Sequence, residues 1–242
     1  MKRDLGIKQY LKISIVVFAL GFLLVNYTQA ASITPSVVKP IVKAPLIIKV
    51  PFTTQAPNTN WSDSRQQDGC EEAVSIMAMA WVKNEGLDSK NLISKKEFEK
   101  RIIAISDFEK KKYGEYRDVT LKDISSWIFK DYFKYEKVSL KTVTSTKNIL
   151  AELEKGRIVL LPMNGQLLKN PNFKAPGPLT HMILVKGYDY KTKEFITNDP
   201  GTRKGENYRY SEKVIMGAIR VYPTGYHLGV KKIEKAMIVV EK

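Results

Sequence analysis

Along the chain, apolar residues recur first at helical and later at strand spacing. From Cys70 to about Asn84, the residues Ala73, Ile76, Met77, Ala80 and Trp81 share one face of a 3.6-residue period, which predicts a helix with a buried face. Two further helices carry start signals. Ser94-Lys-Lys-Glu97 and Thr120-Leu-Lys-Asp123 both read as capping boxes, in which a hydroxyl and an acid three residues later satisfy backbone N–H groups. Phe98, Ile102 and Ile105 then form one face, and Leu121, Ile124 and Ile128 another. A fourth helix runs from about Ser145 to Lys155, with Ile149, Leu150 and Leu153 inward and Gly156 as its stop. Beyond it the pattern changes. Ile158–Leu161, Met182–Tyr188, Phe195–Asn198, Tyr208–Tyr210, Ala218–Tyr222 and Met237–Val240 are short apolar or alternating runs bounded by Gly, Pro, Asn and Lys, which predict strands. Helices first and strands afterwards indicate an α+β domain.

The first residues follow a different logic. Lys2, Arg3, Lys8 and Lys12 precede an uncharged run from Ile13 to Val25, and the small residues Ala30 and Ala31 follow. A basic opening, a short apolar stretch and small residues predict a secretory signal peptide over 1–30, or an uncleaved N-terminal anchor of the same appearance. Residues 31–46 mix Pro, Lys and β-branched side chains, which suits an extended linker. The folded domain is placed at 47–242. The protein is therefore expected to be exported, secreted or associated with the cell envelope, touching membrane only through its N-terminal segment.

Composition changes that picture in two ways. The net charge is +15, which favours anionic envelope polymers or acidic substrates as surroundings. No basic motif interleaved with aromatics argues for nucleic acid. The chain also has a single cysteine, Cys70, so no intrachain disulfide can form and a free reactive thiol is the alternative.

Cys70 falls where an irregular loop meets a helix. Unpaired N–H groups and the positive end of the helix dipole there favour the thiolate, the nucleophilic form. Glu71 and Glu72 suit a first helical turn, yet their charges oppose a neighbouring thiolate unless they point away. Of the two histidines, His181 opens the strand HMILVKGYDY directly after a Pro- and Gly-rich loop, Asn164–Thr180. An imidazole within reach of a thiol can take its proton and return it to the leaving group. His227, in TGYHLG, reads as an ordinary loop histidine. A hairpin turning at about Asp189–Lys193 returns FITNDPG to the end where His181 begins, so Asp199 is a candidate to orient the imidazole. A one-residue slip in register would substitute Asn198. A side-chain amide upstream of the nucleophile can stabilise a developing oxyanion, and Gln55, Gln66 and Gln67 are all available. The 164–180 loop leads straight into His181 and is expected to form a cleft wall.

VPFTTQAP, DGCEEAVSIMAMAWV, PLTHMILVKGYD and FITNDPGT together resemble the bacterial papain-like cysteine peptidases related to the double-glycine leader peptidases, over about Val50 to Tyr210. The resemblance implies a papain-like fold, with Cys70 as nucleophile on the central helix, His181 as base, Asp199 as the orienting carboxylate and Gln55 as oxyanion donor. It implies an acyl-enzyme route needing no metal or organic cofactor, and a peptide or cell-wall-peptide substrate. Two features depart from the family pattern. Many relatives continue from the Cys with Gly-Pro or Gly-x-Ala, where this chain has Glu71-Glu72-Ala73, and the leader peptidases' six-residue Gln offset lands on Ser64. The competing reading from another class is a catalytically silent papain-like module that binds peptide or wall polymer.

Overall fold

The computed structural model of the protein describes residues 43–242. The expected signal or anchor over 1–30, and the linker as far as residue 42, lie outside the described residues. In chain order the elements are β1 (Leu46–Ile47), α1 (Ser64–Gln67), α2 (Cys70–Val82), α3 (Lys95–Tyr113), α4 (Leu121–Asp123) running into a π-helical segment (Ile124–Tyr132), β2 (Val138–Thr142), α5 (Thr146–Glu154), β3 (Ile158–Met163), α6 (Gly165–Leu168), β4 (His181–Asp189), β5 (Glu194–Asn198), β6 (Tyr208–Ser211), α7 (Glu212–Ala218) and β7 (Ala236–Val240). Among the described residues no helix is long and apolar enough to cross a membrane.

The strands form one antiparallel sheet in the order β2-β7-β3-β4-β5-β6. β3 pairs with residues 181–185 of β4, and β1 with Gly187 and Tyr188. Gly187 permits this close approach, because a Cβ there would sit 2.4 Å from the Leu46 carbonyl oxygen.

Strand alternation divides the core in two. Ile158, Leu160, Met182, Leu184, Ile238 and Val240 point to one face, where they pack with α2, α3 and the π-helical segment. Val159, Leu161, Ile183, Val185, Met237 and Val239 point to the other, against Ile149 and Leu153 of α5 and Ile215 of α7. With both faces covered, β3 and β4 are buried at every position, which explains the unbroken apolar runs Ile158–Met163 and Met182–Val185. α2 is the helix pressed deepest on this sheet, and all of its residues but Val82 are buried.

Local signals held where no distant group competed. Ser94 Oγ accepts the Glu97 N–H at 3.1 Å, and α3 ends at Gly114 with φ 84°. At Thr120 they were overridden: its side chain caps nothing. Instead its N–H donates to Thr224 Oγ1 at 3.0 Å, and that hydroxyl donates to Asp123 Oδ2 at 2.5 Å. A residue far along the chain has taken over both halves of the expected box. Residues 218–222, expected as a strand, instead end α7 and continue irregularly, with one isolated bridge from Ile219 to Met163. Their backbone is satisfied by Pro162 and Glu234 carbonyls, and the turn carries Tyr222 inward. β2, α1, α6 and α7 carried no clear pattern in the sequence.

Candidate active site

α2 and β4 pack directly together. The first residue of α2 is Cys70 and the first of β4 is His181. Both side chains line one cavity of about 1260 Å³. Cys70 is 6% exposed and His181 1% exposed, so each shows only a small face to that space.

The histidine is held by a bonded carboxylate. His181 Nε2 lies 2.7 Å from Asp199 Oδ1, which leaves Nδ1 as the ring nitrogen free for proton transfer. Asp199 is fully buried and bonded on both oxygens. Oδ1 also accepts the Gly201 N–H at 3.0 Å, and Oδ2 accepts the Tyr210 hydroxyl at 2.6 Å and the Asn170 amide at 3.3 Å. Burial alone would raise this carboxyl, but the His181 ring and the Tyr210 and Gly201 donors hold it below the usual carboxylate range. Asn198 faces elsewhere, its amide donating to the Val50 and Pro51 carbonyls and so tying down the opening segment. The register therefore puts Asp199, and not Asn198, on the imidazole. Tyr210 and Asn170 escaped sequence reasoning. Tyr210 sat in an expected strand with nothing to distinguish its hydroxyl, and Asn170 is one polar residue in a polar loop.

Gly201 closes the site from below. A Cβ there would lie 2.9 Å from His181 Cε1 and 2.9 Å from a Phe173 ring carbon. Phe173 meets the imidazole edge to face, with ring centroids 5.3 Å apart, and limits its swing. Gly201→Ala should therefore push the ring off Asp199 and lower kcat/KM by about tenfold or more, with KM little changed. Steady-state kinetics with circular dichroism on the same sample checks this; equal losses of activity and of folded signal would contradict it.

Of the three glutamines, Gln55 and Gln67 line the cavity, whereas Gln66 is buried beside it. Gln55 is pinned at both ends: its backbone N–H donates to the Pro200 carbonyl at 2.9 Å and its side-chain amide to the Gln67 carbonyl at 2.6 Å. A primary amide has two N–H donors, so one remains for a substrate oxyanion. The 172–180 part of the loop before His181 lines the cavity, with His227 as a further contributor.

The surroundings of Cys70 differ from what a helix start implies. The thiol donates to Glu71 Oε2 at 2.9 Å, and among the described residues this is its hydrogen bond. Burial pushes the Cys70 thiol well up, and the charge of Glu71 pushes the same way. The expected lowering by the helix terminus is outweighed, first by burial of the thiol and then by Glu71, which turns toward the sulfur.

The model of the family described as the Peptidase_C39 like family matches residues 47–224. The chain belongs to the Peptidase_C39-like family. Among solved structures, a crystal structure from Bacillus anthracis described as a C39-like peptidase matches with 13% identity, covering 83% of this chain and 99% of that one at a TM-score of 0.43. No curated protein matches the chain. Membership of the Peptidase_C39-like family makes this a cysteine-peptidase-type domain with a papain-like α+β fold.

Proposed function

We propose that this Peptidase_C39-like chain is an extracytoplasmic cysteine peptidase acting through Cys70, His181 and Asp199. The observation that carries the reading is the imidazole fixed by a four-donor carboxylate on the wall of the cavity that the only cysteine also lines. In this reaction His181 Nδ1 takes the thiol proton, Cys70 Sγ attacks the amide carbonyl, and the oxyanion draws on the remaining Gln55 N–H. The imidazolium then protonates the leaving amine. Water, deprotonated by the same imidazole, hydrolyses the acyl-enzyme. The basic and apolar N-terminal sequence supports export, which makes envelope peptides, cell-wall peptides included, the substrates within reach. The +15 charge supports residence among anionic polymers.

The test is cleavage of a mixed peptide library and of purified wall peptides, read by mass spectrometry. Brief quenching should trap an acyl adduct on Cys70. Cuts that persist in the Cys70→Ala protein would sink the proposal. The silent binding module is the second reading, favoured by the thiol's bond to Glu71. Under it, Cys70 reacts with iodoacetamide no faster than free cysteine at any pH, and peptide binds without turnover.

A further inference from the structure

The peptidase route leaves one intimate neighbour of the nucleophile without a task. Glu71 is fully buried, yet its carboxyl group is turned back onto the sulfur instead of outward with the helix dipole. Oε2 accepts the Cys70 S–H at 2.9 Å, and Oε1 accepts the Tyr222 hydroxyl at 2.7 Å. The same tyrosine oxygen lies 3.5 Å from the main-chain oxygen of His181. Glu71 and Tyr222 thus join the start of α2 to the start of β4, the two elements that carry the nucleophile and the base.

We propose that Glu71 is a further catalytic residue, a proton latch that holds the Cys70 thiol neutral while its carboxylate is ionised and donates a hydrogen bond to the thiolate once it is protonated. The physical reason is that two acidic groups in contact inside a protein cannot both carry charge, so together they retain one proton. With Glu71 ionised, that proton sits on sulfur and bridges the 2.9 Å between Sγ and Oε2. With Glu71 protonated, the thiol proton can pass to His181 Nδ1. The S–H bond breaks, an N–H bond forms, and the resulting thiolate lies between an imidazolium and a carboxyl O–H. The S–H bonding pair stays on sulfur and the Nδ1 lone pair forms the new N–H bond, so only a proton moves and no oxidation state changes.

The groups around Glu71 pull in opposite directions, with a net rise. Burial and the charge of Asp118, on the loop after α3, lift the Glu71 carboxyl to about 7, although Cys70 and Tyr222 donate to it. Glu72 on α2 and Glu109 on α3 are buried beneath and are themselves pushed well up, by burial first and then by neighbouring carboxylates. His181, on β4, is the cationic partner across the cavity when protonated. Among the described residues no lysine or arginine bonds to Glu71.

The latch rests on the peptidase reading for its purpose but not for its test. Alkylation of Cys70 by iodoacetamide needs no substrate. In the wild-type protein the rate should fall as pH rises through about 7, by about tenfold between pH 6 and 8, against the usual rise for a thiol. Glu71→Gln puts a permanent amide N–H donor in place of the carboxyl. It should abolish that fall and react at pH 8 about tenfold faster than wild type. Tyr222→Phe leaves Cys70 and Glu71 in place but removes a donor to the charged carboxylate, so it should move the fall to higher pH. Identical profile shapes in wild type and Glu71→Gln, or an unmoved fall in Tyr222→Phe, would overturn the latch. Shifted alkylation profiles in a protein that cuts no peptide would instead uphold the latch and refute the peptidase reading.

Discussion

Asp199→Ala is expected to cost both activity and stability, because one buried carboxylate collects four donors. Its removal strands the His181 Nε2–H, the Gly201 N–H and the Tyr210 O–H, while the Asn170 amide keeps its 2.7 Å bond to the Tyr210 oxygen. Each buried donor left without a partner costs about 1–3 kcal/mol, so a loss of about 3 kcal/mol or more is expected in urea unfolding. Hydrolysis should fall by about 10²–10⁴-fold as the imidazole loses its tautomer and its counter-charge. Asp199→Asn separates the two effects. It keeps the shape and one acceptor oxygen, so stability should suffer less while the activity loss remains. Acid titration gives an independent check. The folded carboxyl lies below its ordinary value. Its contribution is therefore complete above about pH 4 and is lost as pH falls through the folded value. The urea midpoint of Asp199→Asn should begin to converge on wild type as pH falls below about 4; a difference independent of pH would count against an ionised Asp199.

Cys70→Ala should remove peptide hydrolysis altogether, since no other side chain in the cavity is a thiol, while His181→Ala should leave at most about 10⁻² of the wild-type rate. The proteins should remain folded, because neither residue anchors either core layer as a large apolar group does. Retained peptide binding by Cys70→Ala, measured by titration calorimetry, would make it the protein for crystallising a substrate complex. Turnover by either variant at wild-type rate would show that the cavity chemistry runs through other residues.

The sequence alone disclosed the parts whose cause is local or periodic. The buried helix from Cys70, the capped helix from Ser94, the helix before Gly156 and the apolar strands from Ile158 and Met182 each follow from nearby residues. A lone cysteine at a helix start, a histidine at a strand start and an acid after the next strand were legible for the same reason: their type and position along the chain narrow the chemistry. Other features depended on distances that only the folded chain sets, two of them between groups more than a hundred residues apart. Thr224 displaced the cap at Thr120, and Tyr222 left an expected strand to meet Glu71. The hairpin register chose Asp199 over Asn198. Burial of the thiol, and then the direction of the Glu71 side chain 2.9 Å away, reversed the expected effect of the helix terminus, since desolvation and a nearby carboxylate outweigh a partial dipole charge. Spacing in a sequence fixes which groups share a face. Hydrogen bonds and charges act over a few ångströms, and only the folded chain sets those distances.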